Sequence, residues 1–600
     1  MQRSLYIDVL KAVAIVAVVF YHIGYLTYGY LGVELFLVVN GFLITKSLNK
    51  RILQDSTALY PHYFIKTYFS FMYDKILRLL PVLLAGMLLC LSWGYFCMLP
   101  DDYENLSQSV IASSLFSNNI LQAITTRDYW DVVNDYKPLM HTWYIGVVMQ
   151  FYLFYPILFL FAKKISSKLK DLIAKMLILL SIVSLFLYLG CTDDAMRFYY
   201  LPFRFFEFGF GGILALYFNS KGNNKVISDY TAIALLVAIL VLLVSNAPIL
   251  SIQVRFLSVV CLSVCLILSQ KNLECSFLKT IIANPVLAIV GKMSYSIFIW
   301  HQIILAFYRY SFTCKFTPIS LLIYIVVTLM ISALSYYFIE NKVSSLVKKY
   351  KILFPCVMLS LLVLVDGVSV FIYKRGGVTR DVPELDIVSQ NAYGGQHAAY
   401  CDRANNYDKE FKTTKDHWLI IGNSFGRDFV NVVLESEVAD LVEISYSKEE
   451  YAISENCNSR YTNADKVFVS TLGVTPEFVS NISARYRANN PNGDQIIVVG
   501  EKNFGENNGQ IYWHHNQKDY FSMCTNMIDG YQKKNNKLKE LYGDSFIDLM
   551  SYVLQGDNSV RVFTDNHKYI SSDCRHLTRA GAIFYAERIP LKIYLNNESE

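Results

Sequence analysis

Long apolar runs fill the first 373 residues and then stop, and no other property of the sequence limits the fold as tightly. Segments able to cross a bilayer as helices fall near residues 5–24, 31–48, 77–98, 139–162, 173–190, 203–218, 229–247, 253–269, 286–308, 319–340 and 353–373. In lipid every backbone amide must find its partner within the chain, so these eleven runs predict a polytopic all-α membrane domain of about ten spans plus one linking span. The 54% hydrophobic and 17% charged composition therefore averages two unlike parts, because residues 374–600 are rich in Asn, Asp, Lys and Tyr and predict a water-soluble domain.

With the N-terminus placed in the cytoplasm, the connections sort by charge. Loops after even-numbered spans carry Lys50, Arg51 and Lys66, then Lys163, Lys164, Lys168 and Lys170, then Lys221 and Lys225, Lys271 and Lys279, and finally Lys342, Lys348, Lys349 and Lys351. The longest loop after an odd-numbered span holds Asp101, Asp102, Glu104, Asp128, Asp131 and Asp135. This positive-inside pattern, with an odd number of spans, predicts that everything after Tyr373 lies outside the cytoplasm. The net charge of +5 is modest and gathers in membrane-flanking loops, so it supports topology and gives no basic stripe for nucleic acid. Of the twelve cysteines, Cys401, Cys457, Cys524 and Cys574 fall in the soluble part; they lack metal-ligand spacing, and export would permit one or two disulfides or leave free thiols.

The first span, IDVLKAVAIVAVVFYHIG, carries Lys11 and His22. Eleven residues separate them, so on one helix they stand roughly 16 Å apart and about 20° out of phase, on one face. A charge inside a bilayer costs at least ~2.5 kcal/mol, so such groups face a protein interior or an aqueous cavity. Glu34, Arg78, His141, Arg204, Glu207, His301 and Glu340 also lie in or at the edge of apolar runs. Arg78, His301 and Glu340 are equally readable as interfacial anchors. A cationic cluster in a cavity suits a nucleotide pyrophosphate, and an imidazole beside it suits proton abstraction from a hydroxyl. A permeation path through Lys11, His22 and Arg204 without covalent chemistry is the competing reading.

These residues sit in ordered motifs. IDVLKAVAIVAVVFYH, GVELFLVVNGFLIT, HTWYIGVVMQFYLFYP, RFFEFGFGGILAL, GKMSYSIFIWH and FIEN together resemble the acyltransferase family 3 membrane proteins, which move acyl groups, commonly acetyl, onto bacterial surface glycans. The resemblance covers residues 1–345 as a membrane domain, with 346–375 an additional transmembrane helix. It implies that His22 is the catalytic imidazole, that Lys11 holds the place of a functional arginine, and that Lys75 and Arg78 match a paired-arginine motif used with acyl-coenzyme A. Arg204 and Glu207 join them as donor-binding candidates. Lys11 and Lys75 keep charge but lose bidentate phosphate geometry. Asn40 stands where the family has Ser, and Val148 and Met149 where many members have Glu.

After a linker expected over 376–415, residues 416–600 alternate strand and helix signals, which predicts a doubly wound parallel sheet with a crevice at the carboxyl ends of its strands. Strands are predicted at 418–422, 466–470, 495–500 and 545–549, and helices at 425–434, from Thr475-Pro476, at 520–541 and at 580–589. LIIGNSFGRDF puts Ser424 at a strand-to-helix turn, and SSDCRHLTRAGA puts Asp573 three residues before His576. That spacing lets a carboxylate orient an imidazole that deprotonates a serine. The arrangement resembles the SGNH hydrolases, a flavodoxin-like three-layer α/β fold, and implies Ser424 as nucleophile with Gly473 and Asn503 as oxyanion donors; the usual GDS is GNS here, through Asn423. His514, His515 and His567 read as solvated loop residues.

Together the two resemblances imply an inner-membrane O-acyltransferase with an exported, periplasmic C-terminal domain. Its donor is acyl-coenzyme A, acetyl-coenzyme A first, consumed as substrate with no permanently bound cofactor and no metal. Its partners are membrane lipids and a surface or lipid-linked glycan such as O-antigen or capsule, not nucleic acid. Hydrolysis of glycan acyl esters by the second domain is the rival enzymatic reading.

Overall fold

The computed structural model describes residues 5–53, 61–125, 132–165, 169–217, 229–245, 251–268, 284–312, 316–391, 396–491, 493, 495–556 and 558–596. Lys168, Lys221, Lys225, Lys271, Lys279, Asp128 and Asp131, which enter the charge argument, lie outside the described residues. The chain divides into two compact units, one of Met1–Ser92, Gln108–Arg309 and Thr313–Ser369 and one of Trp93–Ser107, Tyr310–Phe312 and Val370–Glu600.

The first unit is helical. Each predicted span coincides with a described helix or helix pair: Leu5–His22, Gly32–Leu48, Pro61–Cys97, Trp143–Ile165, Leu169–Gly190, Leu201–Tyr217, Asp229–Val244, Ile252–Leu268, Pro285–Lys292 with Ser294–Ser311, Pro318–Ser335, and Leu353–Lys374. Six described helices are long and apolar enough to cross a membrane, or seven if the pair 285–311, bent by 70°, is one span. That is fewer than the eleven expected. Leu201–Tyr217 is short and largely buried, and the apolar parts of the two helices after it run only over Ile233–Val244 and Ile252–Cys265.

The motif glycines explain how closely the central helices pack. A Cβ on Gly41 would lie 2.0 Å from the Phe208 carbonyl oxygen, and one on Gly211 would lie 2.0 Å from that of Val38. Small residues at both crossings thus let Gly32–Leu48 and Leu201–Tyr217 approach backbone to backbone. Two further motifs meet where Ser296 donates to Glu340 at 2.9 Å.

The second unit holds β1 (Asp416–Ile421), β2 (Val442–Ser447), β3 (Lys466–Val469), β4 (Gln495–Val499), β5 (Cys524–Asn526), β6 (Phe546–Ile547) and β7 (Ser559–Arg561). A parallel sheet runs in the order β2-β1-β3-β4-β6, and β5 pairs antiparallel with β7. The chain reverses direction across the sheet between β1 and β3, which is where doubly wound sheets open their crevice. Alternation along β1 makes the layers. Trp418 and Ile420 pack with Phe429, Val433 and Phe584 on one face. Leu419 and Ile421 pack with Ile482, Tyr486 and Leu538 on the other.

Several expectations are corrected here. The strand β2 was not predicted. The helix expected at 520–541 is a single turn at Tyr520–Ser522, then β5, then a helix only from Tyr531 to Tyr542. Gly530, at φ 101°, sets the break, in a conformation few side chains adopt. The segment 376–415, expected as a linker, packs into the second unit: Val378, Val382 and Ile387 form a core with Phe563 and Tyr569, and Ala404 is buried against β1 and its neighbours. Cys401, Cys457, Cys524 and Cys574 are free thiols. Cys457 and Cys574 belong to cores on opposite faces of the sheet, which keeps them apart.

Candidate functional site

In the first unit a cavity of about 840 Å³, counting its open mouth, is lined by Lys11, Lys75 and Arg78 among mostly apolar neighbours. Lys11 comes from the Leu5–His22 helix and the other two from Pro61–Cys97. The Lys75 ammonium lies 5.2 Å from the ring centres of both Phe71 and Tyr152. Asn40 faces the same cavity and donates to the Tyr144 hydroxyl at 2.6 Å. Val148 also lines it and adds to its apolar wall.

The structure does not put Arg204 and Glu207 in this lining. Arg204 donates through Nε to Glu207 and through Nη2 to Glu34, each at 2.5 Å, and all three side chains are at most 1% exposed. Its charge is spent inside the helix bundle on two carboxylates, and neither Arg204 nor Glu207, both expected to bind the donor, reaches this cavity. Nor does His22 share the cavity with Lys11. It closes the Leu5–His22 helix beside His301, ring centres 5.3 Å apart, and His301 stands 5.3 Å from His141. Arg309 donates to the His22 carbonyl at 2.7 Å and pairs with Asp135 at 3.3 Å. Sequence reasoning noted His141 and His301 but did not unite them with His22; three histidines in apolar runs were the available signal.

In the second unit β1 ends at Ile421, and Ser424 opens the helix Ser424–Leu434. Gly422 is required at the turn, since a Cβ there would sit 1.8 Å from the Ser470 carbonyl oxygen. Asn423 earns its place as a cap: its Oδ1 accepts from Phe425 N at 3.1 Å and from Leu472 N at 3.2 Å. Asp573 Oδ2 lies 2.5 Å from His576 Nδ1, and Asp573 Oδ1 accepts from the backbone N–H groups of Arg575 and His576. The His576 ring centre is 6.4 Å from that of Phe425, the neighbour of Ser424. Among the described residues no hydrogen bond joins Ser424 to His576, a link that in such sites often tightens only with substrate. Burial opposes a charged His576, yet the charge and hydrogen bond of Asp573, with Asp428 adding, hold its pKa above the ordinary histidine value against Lys502.

The two oxyanion candidates do not stand open. Gly473 N donates to Glu501 Oε1 at 2.9 Å, and Lys534 pairs with the same carboxylate oxygen. Asn503 is fully buried; its Oδ1 accepts from Gly505 N and Ile528 N, and its Nδ2 donates to the Gly505 carbonyl. Sequence reasoning also missed the Lys502–Asp428 ion pair, 2.7 Å long and buried. Asp428 accepts from Leu577 N at 3.2 Å, and the Lys502 ammonium sits 3.7 Å from the Phe425 ring centre, so this pair binds the serine turn to the histidine segment. His514 is half-buried, whereas His515 and His567 are exposed. Among the described residues no three His, Cys, Asp or Glu side chains are arranged to hold a metal ion.

The profile of the family described as Acyltransferase domain matches residues 4–340. The chain is 27% identical over 350 residues to a Staphylococcus aureus (strain COL) protein whose own O-acetyltransferase assignment is provisional, covering 56% of each chain. It is 26% identical over 362 residues to the peptidoglycan O-acetyltransferase OatA of Listeria monocytogenes, covering 56% of this chain and 55% of that one. It is 25% identical over 395 residues to the O-acetyltransferase OatA of Staphylococcus aureus (strain MRSA252), covering 61% and 62%. The chain thus spans little more than half the length of these curated relatives. No solved structure matches it.

Proposed function

The chain belongs to the acyltransferase domain family matched over residues 4–340, and on that premise we propose that it is a multi-pass O-acyltransferase of the bacterial cytoplasmic membrane. It takes an acyl group, acetyl first, from acyl-coenzyme A on the cytoplasmic side and delivers it to a hydroxyl of a surface polysaccharide outside. The observation that carries this reading is the convergence of Lys11, Lys75 and Arg78 on one otherwise apolar cavity. Three cations suit the phosphates of the donor, and the apolar wall suits its acyl and pantetheine arm.

His22 is the base for acyl transfer in the membrane domain, and the N-terminus is cytoplasmic. The C-terminal domain is an exported SGNH-like domain. Supporting that reading are a sheet order of the flavodoxin type, Ser424 at the carboxyl end of β1, and the Asp573–His576 pair. In an acyl relay Ser424 accepts the group as an ester and passes it to a sugar hydroxyl. His576 takes the serine proton as the ester forms and returns it to the departing group, then takes the sugar proton and returns it to the Ser424 oxygen as the ester passes on, and Asp573 orients it. Peptidoglycan, named for the Listeria relative, joins O-antigen and capsule as an acceptor class.

The test is mass spectrometry of surface glycans from cells carrying the wild-type chain, Ser424→Ala or His22→Ala. Loss of one acetyl group per glycan repeat in both variants is expected. Unchanged acetylation in Ser424→Ala would end the relay, and glycan export independent of acyl-coenzyme A would point to transport. The Asp573–His576 pair also favours a second reading, ester hydrolysis, which predicts rapid deacetylation of an acetylated glycan by the full-length protein without transfer to sugar.

A further inference from the structure

We propose that His301 is a positioning residue for His22: its Nε2 lone pair is the acceptor that fixes the tautomer and orientation of the His22 imidazole during acyl transfer. The inference rests on reading His22 as the base. His301 projects from Ser294–Ser311 and is fully buried. Its Nδ1 lies 3.1 Å from the Ile297 carbonyl oxygen. A carbonyl can only accept, so Nδ1 carries the hydrogen and Nε2 of the neutral ring carries a lone pair.

That Nε2 has no hydrogen-bond partner among the described residues although it is sealed from solvent. Buried polar atoms are almost always paired, and one left open beside a proposed base calls for a partner that arrives during the reaction. Two rings stand within reach, His22 and His141, each with its centre 5.3 Å from that of His301 and both His141 ring nitrogens likewise unpartnered among the described residues; reading His22 as the base makes His22, inclined at 51°, the partner. In-line imidazole pairs sharing one hydrogen have centres about 5 Å apart given ordinary N–H···N lengths, so the observed spacing admits one N–H···N bond between the two rings.

The chemistry balances without a proton on His301. As the acceptor oxygen bonds to the thioester carbon, its O–H proton passes to one nitrogen of His22. The C–S bond then breaks, and the thiolate takes that proton back from His22. Throughout, the N–H on the opposite nitrogen of His22 points at His301 Nε2, as a third group orients the base in other nucleophilic sites. The other titratable or charged groups around His22 are Tyr21, whose ring centre is 5.0 Å away, Arg309 with its partner Asp135, and His141 behind His301.

The experiment uses the full-length protein in detergent and follows release of the coenzyme A thiol from acetyl-coenzyme A in the presence of acceptor glycan, for wild type, His22→Ala, His301→Leu and His301→Gln. His301→Leu is expected to lower kcat about 10²-fold, with KM for acetyl-coenzyme A within twofold and the acid limb of the kcat profile displaced. His301→Gln, whose amide oxygen can still accept, is expected to recover at least a tenth of wild-type kcat. Wild-type kcat in His301→Leu, equal losses in Leu and Gln variants, or an unmoved pH profile overturns the positioning role. Wild-type activity in His22→Ala overturns the reading of His22 itself, which separates the two failures. If His301→Leu does not fold, His301→Gln decides through its kcat and pH profile.

Discussion

The backbone N–H of Gly473 donates to the side chain of Glu501 at 2.9 Å, so a carboxylate occupies the donor that an acyl-serine intermediate would need. Lys534 holds that carboxylate from the other side. In the proposed relay the oxyanion and Glu501 would compete for one hydrogen. Replacing Glu501 with Gln leaves a neutral, weaker acceptor. A hydrogen bond to a charged group contributes about 1.5–3 kcal/mol against about 1 for a neutral one. Glu501→Gln is therefore expected to speed acylation of Ser424 by an activated acetyl ester up to about tenfold, read as the burst of product with the full-length protein. A slower burst would mean that Glu501 builds the site rather than blocks it.

A second expectation follows from His576, whose pKa Asp573 holds above the ordinary value despite burial. As a base it must be neutral, so serine acylation should rise with pH through this elevated pKa. Asp573→Asn removes the supporting charge, moves the acid limb to lower pH and lowers the plateau rate about 10²-fold or more. Linkage has the opposite sign for stability: with a folded pKa above the unfolded one, the His576–Asp573 pair stabilises fully below the unfolded histidine pKa and loses that contribution as pH rises through the folded value. Thermal unfolding of the wild type and Asp573→Asn should therefore differ most at mildly acidic pH and converge towards alkaline pH.

Much of this is legible in the sequence. The eleven apolar runs locate the helices because burial and backbone satisfaction act locally along each run. Ser424, Asp573 and His576 could be named because turn, cap and i,i+3 spacing are local as well. What stayed hidden was set by tertiary partners. β2, reading VEISYS, does carry the period-two alternation of a strand, but it is short and follows a turn, and its pairing with β1 is what fixes its place in the sheet. Arg204 looked like a ligand for phosphate until Glu34, 170 residues earlier, came to meet it. Gly473, expected at a strand end, lies in the turn after β3, and nothing local could say that Glu501 would claim its N–H.

The cavity lined by Lys11, Lys75 and Arg78 yields a third expectation. A charge-assisted bond to phosphate lost from this lining removes about 1.5–3 kcal/mol of binding, or roughly 10- to 100-fold. Arg78→Gln should raise KM for acetyl-coenzyme A by that factor, and added salt should weaken donor binding by the wild type more than by the variant. Lys11→Arg, which restores the family's usual residue, tests whether the site has been retuned around lysine: higher activity marks a tolerated substitution, and lost activity marks a site rebuilt for the smaller ammonium. Isothermal titration with coenzyme A alone separates donor binding from chemistry.

The last expectation concerns the buried group of Arg204, Glu34 and Glu207. Its members lie on the two helices that Gly41 and Gly211 bring into backbone contact, so the ion pairs and the close crossing depend on each other. Removing the cation leaves two carboxylates buried and facing each other, and breaking a buried pair in this way costs about 3–5 kcal/mol. Arg204→Leu should therefore lower the unfolding temperature of the detergent-solubilised protein sharply, and the double change Arg204→Leu with Glu34→Gln should restore part of the loss by removing one unpaired charge. Surviving Arg204→Leu protein should keep its KM for acetyl-coenzyme A, because the guanidinium does not line the cavity of Lys11, Lys75 and Arg78 proposed to hold the donor. A raised KM with an unchanged unfolding temperature would return Arg204 to the donor site that its sequence first suggested.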